Sequence, residues 1–275
     1  MTVPLAEAVA LLVVSASVTI LPLSASGHTA LLALLAGTEI DARYVIAVLS
    51  ATWIAPVIYF RRALVALLRE GARAVMRQAR FDDTQGGRDA RTVGLATVSM
   101  VAVGIGVSGH VAAWAREPSL VGGGLVATAL ALGSTFWAPE GDRDTPTWLG
   151  AFLVGAVQGA AELPGLSRPA VALASLLWLG VRAERAFELS FLTALPAGLV
   201  TIATLVLGTH VFPPSQATTV QQALVLITFA ILATGVSLLC LRLLRTAVAH
   251  RALPAFSLYL VPLAFATLAW GYARP

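Results

Sequence analysis

Two short stretches hold the side chains able to do chemistry. In Gln158-Gly159-Ala160-Ala161-Glu162-Leu163-Pro164-Gly165-Leu166-Ser167-Arg168-Pro169 an amide, a carboxylate, a hydroxyl and a guanidinium interrupt a run that is otherwise apolar from Trp148 to Val181. A charge at a bilayer centre costs roughly 2.5–3.5 kcal/mol on insertion scales, so a chain rarely keeps one there without a use. Leu21-Pro22-Leu23-Ser24-Ala25-Ser26-Gly27-His28 adds two hydroxyls and an imidazole. A guanidinium such as Arg168 binds phosphate oxygens bidentately, or pairs with the nearby Glu162. Glu162 can hold a divalent cation, act as a general base or simply neutralise charge. Gln158 lies four residues before it, which on a continuous helix is the same face. Ser24, Ser26 and Ser167 donate to anion oxygens or cap the half-helix that follows them. His28 either satisfies backbone groups or serves as nucleophile or general acid.

These groups need elements that place them at one depth. Pro164-Gly165 breaks a helix, and a break at membrane depth survives only where it is buried in protein or lines a wet cavity. The chain has 275 residues, of which 58% are hydrophobic and 12% charged, with a mean hydropathy of +0.84. That is the composition of a polytopic membrane protein and excludes a soluble domain. Its 18 basic residues are all arginine and its net charge is +4. The excess comes mainly from one loop, so it speaks to membrane orientation and not to nucleic acid. Cys240 is the single cysteine, which leaves no intrachain disulfide and no cysteine metal cluster. The first residues lack a basic n-region and a cleavage site, so no removable signal peptide is expected.

A span needs about 20 apolar residues, which predicts six full-length helices near 42–60, 93–113, 119–137, 183–208, 219–241 and 253–273. The regions 5–37 and 147–180 are each interrupted, and their halves suit re-entrant helical hairpins. Arg61 to Arg91 reads as a polar loop with eight arginines against four acids, which the positive-inside rule assigns to the cytoplasm. Arg242, Arg245 and Arg251 then fall on the same side, and 209–218, with only His210, on the other. Parity brings the two hairpins in from opposite sides. The expected fold is an all-α polytopic membrane protein, with residues 1–140 and 141–275 as inverted repeats of one hairpin and three spans. In such repeats the broken helices meet at the midplane and offer their free N–H groups to an anion.

At these motifs the chain resembles the undecaprenyl-diphosphate phosphatases, the bacitracin-resistance proteins of bacterial inner membranes. Leu21-Pro22-Leu23-Ser24-Ala25-Ser26-Gly27-His28 is similar to the family's Leu-Pro-x-Ser-Ser-x-Gly-His, and Pro164-Gly165-Leu166-Ser167-Arg168 to its Pro-Gly-x-Ser-Arg. Phe187-Glu188-Leu189-Ser190-Phe191 resembles its Glu-Phe-Ser-Phe region, and His250 to Phe256 its C-terminal basic turn. The departures are as specific. Ser15 and Thr19 stand where the family usually has the two acids of Glu-Gly-x-x-Glu, Ala25 replaces its second serine, and Pro169 and Ala172 replace its Ser-x-x-Thr. Glu162 instead carries an acid before the second loop.

The resemblance implies an integral enzyme of the inner (plasma) membrane that removes the terminal phosphate of a polyprenyl diphosphate, with its site toward the outer side. The expected catalytic residues are His28, Glu162 and Ser26, and the expected substrate-binding residues Arg168, Ser167, Ser24, Gly27, Gly165 and Gln158. Glu162 is the expected ligand of a divalent cation, Mg²⁺ or Ca²⁺. The partners are the lipid diphosphate, the bilayer and, as an option, a second copy in a homodimer, with no nucleic acid. The rival reading is a transporter or flippase for an anionic lipid, which needs the arginine and the loop amides but no nucleophile.

Overall fold

The structure, a computed structural model, describes residues 5–36, 42–208 and 220–273. Among these the regular elements are helices, in the order α1 (Leu5–Ile20), α2 (Ala25–Ala36), α3 (Ala42–Tyr59), α4 (Arg61–Val75), α5 (Gln85–Trp114), α6 (Pro118–Ser134), α7 (Trp148–Ala160), α8 (Arg168–Trp178), α9 (Ala183–Gly208), α10 (Val220–Ala249) and α11 (Ala255–Ala273). A turn of 3-10 helix, Thr135–Trp137, extends α6, and an isolated bridge joins Arg143 to Val181. Helices are the expected outcome for so apolar a chain, because in hydrocarbon each backbone donor and acceptor must find its partner within the protein. The protein is an all-α polytopic membrane protein.

Both interrupted regions are pairs of short apolar helices, α1 with α2 and α7 with α8. The longest of the four has 16 residues, about 24 Å at 1.5 Å per residue, short of the ~30 Å hydrocarbon core. The six stretches expected to span contain α3, α5, α6, α9, α10 and α11. By length and apolar composition, α5, α6 with its 3-10 turn, α10 and α11 suffice to cross, with a fifth span if the bent pair α3 and α4 counts as one. The first two turns of α9 carry Glu184, Arg185 and Glu188. His210 and the 209–218 connection lie outside the described residues.

One expectation is corrected. Residues 61–91 are not a loop: α4 occupies 61–75 and α5 begins at Gln85, so only the nine residues between them are irregular. Two local signals explain the difference. The α4 sequence alternates arginines with apolar residues at helical spacing, which suits an interface rather than a solvated loop. At α5, the Thr84 hydroxyl caps the helix by accepting from the Gly87 N–H at 3.0 Å.

The core forms where α6 packs along α11, α5 along α7 and α10 along α3. Leu125 and Leu132 of α6, Leu173 and Leu176 of α8 and Leu189 and Leu192 of α9 are fully buried in the same cluster. Across the α5–α7 contact the Ser99 hydroxyl donates to the Phe152 carbonyl at 2.7 Å. The segments that matter for function are the breaks between α1 and α2 and between α7 and α8.

Candidate functional site

The two breaks touch each other, although more than 130 residues separate them in sequence. A Cβ on Gly27 would lie 3.0 Å from the Cα of Gly165, so the first turn of α2 rests directly on the second loop. The Ser24 hydroxyl donates to the Leu166 carbonyl at 3.3 Å and accepts from the Gly27 N–H at 3.1 Å. One side chain thus caps α2 and fastens the loops together. Ser24 is fully buried and has a left-handed backbone, φ +68°. A short polar side chain that bonds locally is among the few non-glycine groups to tolerate that conformation.

The second loop is held from α6. The Thr128 hydroxyl donates to the Gly165 carbonyl at 2.7 Å and accepts from the Ser167 N–H at 3.0 Å. Gly165 has φ +90°, and an added Cβ would meet the Val121 carbonyl at 2.3 Å. Only glycine fits that turn. Ser167 then caps α8 by accepting from the Ala170 N–H at 3.4 Å, with Pro169 in the first turn. The outcome is two capped half-helices, with the first turn of α2 seated on the loop that leads into α8. Among the described residues no backbone acceptor takes the N–H groups of Ala25, Ser26 and Arg168, which are the orphan donors of a helix start.

His28 follows Gly27 on α2. Its Nδ1 is 2.9 Å from the Ser24 carbonyl and its Nε2 is 2.8 Å from the Tyr259 hydroxyl. A carbonyl only accepts, so Nδ1 carries the proton; in the neutral ring Nε2 then accepts from Tyr259. The phenol ring also stacks on the imidazole, with centroids 5.8 Å apart and planes 12° from parallel. Tyr259 of α11 is the contributor that sequence reasoning missed. Its only cue was an aromatic residue near the predicted start of the last span, which is where an interfacial belt is also expected. Ser26 is exposed, and its Oγ lies 3.4 Å from that of Ser24. Of the two serines on this loop, Ser26 is the one open to a ligand.

Glu162 and Arg168 flank the second loop and form an ion pair between Oε1 and Nη2. The side chains are 36% and 18% exposed, so the pair is reachable by a ligand. Glu162 runs beside Gly104 of α5. The expected partnership between Gln158 and Glu162 is not formed. Helix α7 stops at Ala160, so the two do not share a helix face. Gln158 is fully buried, and its amide donates to the Thr193 hydroxyl of α9 at 2.8 Å, leaving Oε1 without a protein partner. No hydrogen bond or ion pair among the described residues links His28 to Glu162 or Arg168.

The other motifs are structural. Phe187 and Phe191 stack about Phe60, with centroids 5.3 and 5.8 Å away, and Glu188 pairs with Arg185. Arg251 clamps the 138–140 connection through the Ala138 carbonyl and Glu140. On the first half-helix, the Thr19 hydroxyl donates to the Ser15 carbonyl at 2.7 Å, so these two positions close on each other.

Among the described residues no cluster of three His, Cys, Asp or Glu side chains forms a metal cage. The donor set at the loops is one carboxylate, which fits a cation that arrives on phosphate oxygens better than one held by the protein alone.

A profile of the family described as bacitracin resistance protein BacA matches residues 8–266. Among individual proteins, the chain is similar to the undecaprenyl-diphosphatase of Korarchaeum cryptofilum, 29% identical over 196 residues that cover 70% of this chain and 74% of that one. It is 30% identical over 190 residues to the undecaprenyl-diphosphatase of Magnetococcus marinus, covering 66% and 68% of the two chains. The enzyme of the same name from Nitrosococcus oceani is 31% identical over 183 residues, again 66% and 68%.

Proposed function

The chain belongs to the bacitracin resistance protein BacA family, and from that premise we propose that it is an undecaprenyl-diphosphate phosphatase. It hydrolyses a polyprenyl diphosphate to the monophosphate carrier used in cell-wall synthesis. The observation that carries this reading is the contact between two loops that each cap a half-helix, with a reachable Arg168–Glu162 pair on the second. The three relatives named above are all diphosphatases, which supports hydrolysis over transport.

Arg168 exchanges the Glu162 carboxylate for the diphosphate, a fork-shaped donor meeting two oxygens in place of one. The exchange frees Glu162. Glu162 would then hold a divalent cation, Mg²⁺ or Ca²⁺, whose charge would offset that of the diphosphate. The N–H groups of Ala25, Ser26 and Arg168 and the Ser26 hydroxyl take the remaining phosphoryl oxygens, as helix N-termini do for anions. His28 Nε2 is the ring nitrogen free of the backbone; it either takes the proton of the attacking water or attacks phosphorus itself, in which case water then cleaves the resulting P–N bond. The bond between the terminal phosphorus and the bridging oxygen breaks, giving inorganic phosphate and the lipid monophosphate. Catalysis rests on position and charge stabilisation, as phosphoryl transfer does generally.

Ser24, Ser167, Gly27 and Gly165 shape this site and are not reacting groups, since their polar atoms are engaged in holding the loops. Gln158 supports it from α7, tied to Thr193 of α9. The two halves, 1–140 and 141–275, are inverted repeats in this reading. Support comes from the packing of α5 on α7 and of α10 on α1, because a two-fold that exchanges the halves exchanges those pairs too. The proposal extends to a plasma-membrane location with the site toward the outer side.

The test is phosphate release from a C55 diphosphate by the purified protein in detergent, with and without Mg²⁺ or Ca²⁺, wild type beside Glu162→Gln. Cation-dependent release that the variant loses is the expected result. Folded wild-type protein that releases no phosphate under any cation condition overturns it.

A further inference from the structure

Helix α4 has three faces. Leu67, Glu70 and Ala74 are buried on the side where α4 packs against α5, and Gly71 sits against Ala90 there. Val65, Leu68, Ala72 and Val75, spaced by three or four residues, form a second stripe that is exposed; Val65 and Leu68 are 63% and 60% accessible. Arg62, Arg69 and Arg73, seven and four residues apart, form a third stripe beside it, also exposed. The axis of α4 bends 80° from the end of α3. The corner is braced by Tyr59 and Phe60, whose rings meet Phe187 at centroid distances of 6.0 and 5.3 Å.

A helix with these three faces suits the membrane surface better than its interior. Were it the deep half of a broken span, its exposed arginines would each cost roughly 2.5–3.5 kcal/mol in hydrocarbon. Laid along the surface, the helix puts its apolar stripe among acyl chains and its arginines among headgroups. Arg61, Arg62 and Arg69, with Val65 and Ala66, also line a shallow, wide-open cleft of about 440 Å³. Arg61 spends one N–H on the Ile58 carbonyl and Arg69 its Nε on Glu70. Arg62 makes no hydrogen bond or ion pair among the described residues. The cleft therefore holds unspent guanidinium donors next to an exposed apolar stripe.

We propose that this cleft binds the phosphate of an anionic phospholipid, with the acyl chains lying on Val65, Leu68 and Val75. Charge complementarity selects the anionic headgroup. The adjoining apolar stripe selects a lipid over a soluble phosphate or an acidic protein, neither of which would cover it. The site is separate from the loop junction and does not depend on the reaction proposed there.

The experiment uses full-length protein in neutral maltoside micelles and a fluorescent short-chain phosphatidylglycerol, competed by phosphatidylcholine or by inorganic phosphate. Phosphatidylglycerol binds in preference to phosphatidylcholine, and added salt weakens it. With each surface arginine contributing ~1 kcal/mol, Arg62→Gln with Arg69→Gln lowers its affinity roughly thirtyfold. Arg62→Lys with Arg69→Lys keeps most of the binding, which separates loss of charge from loss of fold, and Arg242→Gln leaves it unchanged. Equal competition by phosphatidylcholine, wild-type affinity in the double glutamine variant, or displacement by inorganic phosphate at lipid-equivalent concentration each overturns the proposal.

Discussion

The loop at 21–28 and the loop at 161–168 share a construction and differ in what they hold. Each ends in a buried serine that caps the next half-helix, Ser24 before α2 and Ser167 before α8. The first carries no formal charge, and its one titratable group, His28, is fixed by a carbonyl behind and a phenol in front. The second carries the Glu162–Arg168 pair and is fastened by Thr128. The family's usual acids before the first loop are Ser15 and Thr19 here, while an acid stands before the second loop. The lesson is a division of labour. A neutral loop can present a reacting nitrogen, and a charged loop can bind the anion, once the two are in contact.

The hardest way to break that comparison is Arg168→Ala. Removing the one guanidinium at the junction should lower kcat/KM for phosphate release on the order of 10³-fold, and Arg168→Lys should recover only part, since an ammonium lacks the planar fork. His28→Ala should cost about 10²-fold or more, concentrated in kcat. A loss confined to KM would mean that the first loop only binds, and the division of labour would fail.

Gly165→Ala tests the contact itself. With φ +90° and a carbonyl in the way, the substitution should destabilise the protein by roughly 2–3 kcal/mol, read as a lower thermal midpoint in micelles. Gly27→Ala, whose neighbours lie at 3.0 Å, should cost about 1 kcal/mol and push the loops apart, lowering activity more than stability. The smallest effect is expected from Tyr259→Phe. It removes the partner of Nε2 but keeps the stacked ring, so kcat should fall roughly tenfold with a shifted pH profile and unchanged melting. Melting that falls with activity would make Tyr259 a packing residue only.

Much of this architecture is legible in residue order, for definite reasons. A continuous run of apolar residues has no other way to satisfy its backbone in lipid than as a helix, so the long helices follow from hydropathy. Leu21-Pro22 and Pro164-Gly165 mark the two breaks because each proline is joined by polar loop residues, whereas Pro56, Pro196 and Pro262 stand in apolar runs and stay inside α3, α9 and α11. The arginine-rich stretch reads as a loop by its charge count and folds as α4 because its apolar residues recur at helical spacing. The spacing of Leu64, Leu67, Gly71 and Ala74 is that of a helix face.

What the chain order leaves open is long-range. Local pattern cannot say that Ser24 reaches the Leu166 carbonyl or that Gly27 abuts Gly165, because helix packing and not spacing sets those contacts. Gln158 shows the limit most directly. A spacing of four predicts a shared face with Glu162, but the helix ends two residues before the acid, and the amide turns instead to Thr193. Tyr259 belongs to the same class: only the packing of α11 against α6 and the nearby α2 turns an ordinary aromatic residue into the partner of His28. Helices and breaks come from local energetics, which sequence encodes directly. The site comes from where those breaks meet, and only tertiary packing decides that.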